Sequence, residues 1–329
     1  MGFHVREVWN HNLAEEISAM EDSLRHYPIV SIDSEFPGCL RPTPRHAGEE
    51  VRFADMKFNV DSTDLIQLGV TLSDEKGTVA GIWQFNLEFD LDRDLHAKES
   101  ILFLKSHGVD FEKLRSHGIE RIRFGAAFGG LIRRRSRPLT WVTFHGLYDL
   151  AYVVKVVGRR PIPDTAAEFG NVMGKGFDAV VDVKYVARYL EGGAAVAGGE
   201  VGLQRLADEL GVKRRGEAHT AGSDSLLTAL VYSKLKKKVK HVVGLDSYVD
   251  FVYGISGRIS RQSVAVGTTP PMVIPFGNCR VPVYRIAVPV PVPVPVVYRS
   301  CRPQYPIHYQ HRRNVPPRLS AAVGYLAAV

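Results

Sequence analysis

Cysteine is scarce in this chain. Three thiols in 329 residues, Cys39, Cys279 and Cys301, have no metal-type spacing and do not form an even set. That excludes a disulfide-stapled scaffold and a cysteine-built zinc site, and with no signal peptide in evidence it points to a reducing, intracellular compartment. Long apolar runs are also lacking. None approaches the roughly 18 residues that cross a bilayer, so the expectation is a soluble protein with no membrane partner. Charge is missing unevenly. The segment 256–329 has neither lysine nor acid, only nine arginines. The other 33 basic residues face 35 acidic ones in 1–255, so the overall charge of +7 belongs to the tail. Reading the protein as a basic nucleic-acid binder on net charge alone would rest on the wrong segment.

What is present suffices for one large core, with 45% hydrophobic residues. Residues 1–255 read as a single α/β domain. A helix is predicted over 8–25, with Leu13, Ile17, Met20 and Leu24 along one side. A strand YPIVSIDSEF follows, then a Pro- and Gly-punctuated loop at 37–48 and a helical stretch near 49–64. The strands LIQLGVTL and TVAGIWQFN are joined by the turn SDEKG. Helical segments around 98–132 precede a fourth strand, LTWVTFH, which runs straight into a helix, GLYDLAYVVKVV. A helix near 164–173, a short strand AVVDVKYV, a Gly-rich loop at 191–202 and helices at 203–210 and 221–240 complete the domain. This order predicts a mixed β-sheet flanked by α-helices.

The tail differs in kind. It holds 12 of the 19 prolines, including the alternation VPVPVPVPV at 288–296. Proline at every second position removes every second backbone donor, so this stretch is not a central strand. Polyproline II or disorder is the expectation for 256–329, as an extension without its own core.

Four carboxylates and a histidine carry the chemistry. Asp33 and Glu35 lie two apart in VSIDSEFPG, so a strand sends both side chains to one face. Two buried acids side by side repel, and burying them unpaired costs several kcal/mol, about the scale of a buried charge. Something positive belongs between them. Asp149 falls at the start of the helix after the fourth strand. Asp224 falls in the first turn of the long helix, and His219 stands on the loop just ahead of it. Hard oxygen ligands suit Mg²⁺ or Mn²⁺ rather than zinc. Two such ions clamp the attacking and leaving oxygens of a phosphoryl displacement, while a neutral histidine takes the proton of the attacking water. The parts fit phosphodiester hydrolysis.

The order Asp-x-Glu, Asp, His-(x4)-Asp resembles the DEDDh exonucleases of the ribonuclease-H-like fold. The surrounding segments are narrower. IDSEFPG, NVDSTDLIQLGVTL, WQFN, FHGLYDLAY, VVDVKYV, GLQRLADELGV and HTAGSDSLLT, in that order between Val8 and Ile255, resemble the Caf/Pop deadenylases, catalytic subunits of the CCR–NOT complex, in their plant form. The resemblance implies 3′→5′ removal of messenger-RNA poly(A) tails with release of 5′-AMP. It implies Asp33, Glu35, Asp149 and Asp224 as ligands of two divalent ions, with His219 as general base. It also implies docking on a helical-repeat scaffold and a leucine-rich-repeat partner nuclease, and residence in cytoplasm and nucleus. Two departures stand out. Gly146 and Leu147 replace the usual Ser-Gly pair of the second motif, and Leu150 and Ala151 replace Phe-Gly. Competing readings are a catalytically silent scaffold subunit and an exonuclease of other nucleic-acid specificity.

Other features read as ordinary structure. Asp182 is taken as structural, Phe36 as core packing rather than a base-stacking ring, and Arg133, Arg134, Arg135 and Arg137 as a solvated loop. Lys234, Lys236, Lys237, Lys238 and Lys240 are cations complementing the end of a helix.

Overall fold

The computed structural model describes residues 3–44, 46–189, 202–239 and 245–259. Strand β2, Ile29–Glu35, sorts its side chains by parity. Val30 and Ile32 enter one apolar core, and Ile29 enters another. The alternation follows from the period of two along an extended chain. Its neighbours β5, Thr140–Thr143, and β6, Ala179–Asp182, do the same: Trp141 and Val180 join the first core, Val142 and Val181 the second. A sheet buried on both faces needs such continuous apolar runs.

Among the described residues, six strands make one sheet in the order β1-β4-β3-β2-β5-β6. β2 pairs antiparallel with β3, Gln67–Ser73, which pairs antiparallel with β4, Val79–Asn86. On its other side β2 runs parallel to β5, and β5 parallel to β6. The pairing of β2 with β5 stops at Ser31, so the acidic end of β2 extends beyond its parallel neighbour.

Helices cover both faces. The first core takes side chains from α1, Leu13–Leu24, α2, Glu49–Ser62, α5, Arg121–Arg134, α6, Leu147–Gly158, and α7, Ala166–Gly176. The second takes them from α8, Val183–Tyr189, α9, Leu203–Glu209, and α10, Ala221–Val239. A smaller cluster under α3, Lys98–Ser106, and α4, Phe111–His117, closes around Trp9, Ile66 and Phe89. The mixed sheet with flanking helices is the architecture the sequence predicts.

Several local expectations change. The predicted helix at 8–25 begins at Leu13, because Val5–Val8 forms the edge strand β1 against β4. The strand expected over 179–186 ends at Asp182, and VKYV turns into α8. The arginine loop is partly helix and partly paired. Arg133 and Arg134 lie in the last turn of α5, Arg134 bonds Glu21 at 2.8 Å, and Arg135 bonds Asp178 at 2.5 Å. Phe36 stacks on Tyr148, ring centres 5.1 Å apart, and packs against the first core, as expected. Lys236, Lys237 and Lys238 lie in the last turn of α10; Lys236 bonds Glu75. Ile259 is buried in the first core and its amide donates to Asp250, so packed chain continues at least that far. The Gly-rich stretch expected at 191–202 and the proline-rich tail lie, except for Gly202 and 256–259, outside the described residues. Among the described residues no helix is long and apolar enough to cross a membrane.

Candidate active site

The parity of β2 decides which helix meets which acid. Asp33 and Glu35 share the face of Ile29, which is the side covered by α10. Ser34 shares the face of Val30 and Ile32, the side covered by α6. The first turn of α10 is fastened to the sheet. Ser225 Oγ lies 2.9 Å from Thr71 Oγ1, and the Gly222 amide donates to Gln84 Oε1 at 2.9 Å. That seating brings Asp224 over the strand acids. Ligand oxygens of Asp33, Glu35 and Asp224 all fall within 4.8 Å of one another.

Asp149 arrives from the other side. It lies buried in the first turn of α6, where its Oδ1 accepts the hydroxyl of Ser34. It stands outside the tight trio because Ser34 is the residue whose side chain points away from Asp33 and Glu35. Its charge still reaches both of them.

The substituted Gly146 fits this arrangement. A Cβ built on it would lie 2.2 Å from the Thr143 side chain. Its amide donates to Asp182 Oδ2 at 3.2 Å. Asp182 also accepts the amides of His145, Lys184, Tyr185 and Tyr253, at 2.9, 3.0, 3.4 and 3.0 Å. The structural role expected for Asp182 is therefore specific: it ties the turn that launches α6 to the start of α8 and to the chain near Tyr253.

Burial dominates the electrostatics. It pushes Asp33 well above the ordinary carboxylate range, with the charges of Asp224, Asp149 and Glu35 adding to the push. Burial, followed by Asp224 and Asp149, raises Glu35 to about 8. Asp149 rises to about 7, again through burial, partly opposed by its bond from Ser34. Acids that resist ionisation this strongly are held in a place built for added positive charge. The donor set is all oxygen, which fits hard divalent cations.

His219 stands ahead of α10 at φ +60°, and its amide donates to Asp224 Oδ2 at 3.2 Å. Its ring is set edge-on against Phe103 and His107 of the α3 end, with centres 4.8 and 4.7 Å away. Burial lowers its pKa, opposed by Asp224 and reinforced by His107. The imidazole is therefore held neutral and able to accept a proton.

Four contributors escape the sequence reading. Ser34 tethers Asp149, and Phe103 and His107 pack the His219 ring. Arg214 bonds Asp224 Oδ1 from the loop before α10. The sequence mark of Arg214 is only its place in the basic run KRR, where nothing distinguishes it from Lys213 and Arg215.

Comparisons with known proteins identify the family and the fold. The CAF1 family ribonuclease profile matches residues 8–125 and 128–250. CCR4-associated factor 1 homolog 5 of Arabidopsis thaliana is 43% identical over 231 residues, covering 70% of this chain and 81% of that protein. The poly(A) ribonuclease pop2 of Schizosaccharomyces pombe is 36% identical over 270 residues, covering 80% and 76%. The solved structure of S. pombe Pop2p in its Mg²⁺- and Mn²⁺-bound form superposes with a TM-score of 0.69 at 34% identity, covering 76% of this chain and 99% of that one. Yeast CAF1 co-crystallised with the NOT1 MIF4G domain gives 0.65 at 28% identity, covering 76% and 96%. The ribonuclease fold, the order of the acids and a profile spanning most of the packed residues lead to one conclusion: this chain belongs to the CAF1 family of ribonucleases.

Proposed function

We propose that the chain is a 3′→5′ exoribonuclease that shortens poly(A) tails and releases 5′-AMP. The convergence of Asp33, Glu35 and Asp224 within 4.8 Å, in a chain of this family, carries the reading. These three residues, with Asp149 joining from the far side of the strand end, would hold two divalent ions, Mg²⁺ or Mn²⁺. Such ions, when bound, supply Lewis-acid stabilisation of the charge developing on the attacking and leaving oxygens. His219, kept neutral by burial, takes a proton from the attacking water at a ring nitrogen. The water oxygen bonds to phosphorus, the bond from phosphorus to the 3′-oxygen breaks, and that oxygen leaves with a solvent proton. The edge-on contacts from Phe103 and His107 fix the imidazole plane, so little ordering is left for the reaction itself.

The partners proposed are single-stranded poly(A) RNA, the scaffold of the CCR4–NOT complex and its leucine-rich-repeat nuclease. The names of the relatives and the yeast CAF1–NOT1 co-crystal support this assembly. Cytoplasmic and nuclear residence goes with that role.

The test is a substrate panel. Purified full chain with Mg²⁺ is given 5′-labelled oligo(A), oligo(U) and single-stranded DNA. Stepwise shortening of oligo(A) ahead of the others, stopped by chelator and lost by ~10³-fold in Asp33→Ala, is expected. Shortening that survives Asp33→Ala would overturn the site. A protein that binds no divalent ion and shortens nothing would be a silent scaffold instead.

A further inference from the structure

The acid trio already touches a cation of the protein's own. Arg214 bonds Asp224 Oδ1, the same carboxylate that completes the trio. The guanidinium is aimed by two further groups: its Nε donates to Gln204 Oε1 of α9 at 2.6 Å, and Ser223 Oγ of α10 lies 3.5 Å from Nη1. The side chain is 17% exposed, so the pair is largely removed from water. Arg214 sits on a loop with left-handed turns at Gly211, Gly216 and His219, a backbone with pivots on both sides of it.

Building on the exoribonuclease reading, we propose that Arg214 is a resident counter-cation. It neutralises Asp224 while the site is unloaded, gives Asp224 up on loading, and then binds the phosphate of the terminal nucleotide. The physical case rests on charge. Asp224 is the carboxylate of the trio that carries a cationic partner among the described residues, and Arg214 supplies that partner when divalent ions are away. Once doubly charged ions share Asp224, a guanidinium on the same carboxylate is repelled at short range. Its freed fork matches a phosphate oxygen pair, and a phosphate is what the loaded site holds. His219 is bonded through its amide to the other oxygen of Asp224, so release of Arg214 alters the anchor of the proposed base as well. Ion binding and phosphate binding then favour each other, because each relieves what opposes the other.

Two titrations test this, both without turnover. Mn²⁺ alone is titrated by calorimetry into wild type, Arg214→Gln and Arg214→Lys. AMP is then titrated into each Mn²⁺-saturated protein. Removing the competitor should tighten Mn²⁺ binding of Arg214→Gln by roughly tenfold and leave Arg214→Lys close to wild type. AMP binding should weaken by roughly tenfold in Arg214→Gln. Mn²⁺ affinity that is unchanged or weaker in Arg214→Gln overturns the proposal, the weaker outcome meaning that Arg214 merely braces the loop. Unchanged AMP affinity overturns the phosphate role. If wild type itself takes up no Mn²⁺, the nuclease reading fails first; uptake by wild type without a shift in Arg214→Gln sinks only the role of Arg214.

Discussion

Gly69 lies directly beneath the carbonyl of Ala221. A Cβ built on Gly69 would sit 1.8 Å from that oxygen. Gly69 is also the β3 partner of Asp33 in the sheet register. One glycine therefore sets how close α10 comes to the strand acids, and so where Asp224 stands.

The first prediction follows from that contact. Gly69→Ala must lift the start of α10, an overpacking that costs about 1–3 kcal/mol. The expected result is a lower melting temperature together with Mn²⁺ affinity at least tenfold weaker by calorimetry, since Asp224 leaves the trio. Wild-type affinity in a destabilised Gly69→Ala would show that α10 is not the element that positions this proposed ligand.

Asp33→Asn separates stability from loading. Without ions, the substitution removes a carboxyl whose ionisation is opposed by burial and by the charges of Asp224, Asp149 and Glu35. The metal-free protein should melt higher by roughly 3–6 °C while losing most of its Mn²⁺ uptake. A lower melting temperature would mean that Asp33 makes a stabilising contact in the unloaded state.

The pH dependence has a definite sign. Glu35 titrates near 8 and Asp149 near 7 in the folded protein, against ordinary values of 4.5 and 3.8. Between those limits the native chain keeps protons that the unfolded chain has released. Stability of the metal-free protein should therefore fall as pH rises from 5 to 8, by about 3 °C per pH unit in thermal melts. Saturating Mn²⁺ should flatten or reverse the slope, because the ions favour the deprotonated acids. Equal slopes with and without Mn²⁺ would contradict the assignment.

His107 is expected to act through His219. His107→Ala frees the imidazole, so kcat on oligo(A) should drop about ten- to a hundredfold with KM little changed. His107→Phe keeps a ring at the contact and should restore most of the rate. Equal losses in both variants would show that the ring packing is not what matters.

Asp182 is the stability test. It accepts five backbone amides from three stretches of chain, and burial raises its pKa despite those bonds. Asn offers one acceptor oxygen and turns an amino group toward the remaining donors. Asp182→Asn should lower the unfolding free energy in urea by roughly 3 kcal/mol.

The sequence made the central strand and its acids legible because β2 combines an apolar run with two carboxylates at the strand period. The long helix expected at 221–240 was also legible, and α10 begins at Ala221. β1 was not, since VREV is four residues long and two of them are exposed, which leaves no apolar signature. The run VKYV looks like a strand by composition. It becomes helix because Asp182 accepts the Lys184 and Tyr185 amides and turns the chain there. Arg214 was hidden in a basic run, and only the seating of α9 and α10 selects it over its neighbours. Ser34 stood between the acids in plain view, but its partner lies 115 residues away.

The two-sided character of β2 has a consequence for how this protein tolerates change. Inserting or deleting one residue between Ile29 and Asp33 would swap the faces of everything after it. Aliphatic side chains would then be offered to the proposed cation pocket and carboxylates thrust into oil. Side-chain replacements along this strand can be graded in effect, whereas a shift in its length is all-or-none. Lineages that vary here are expected to vary in chemistry at fixed count.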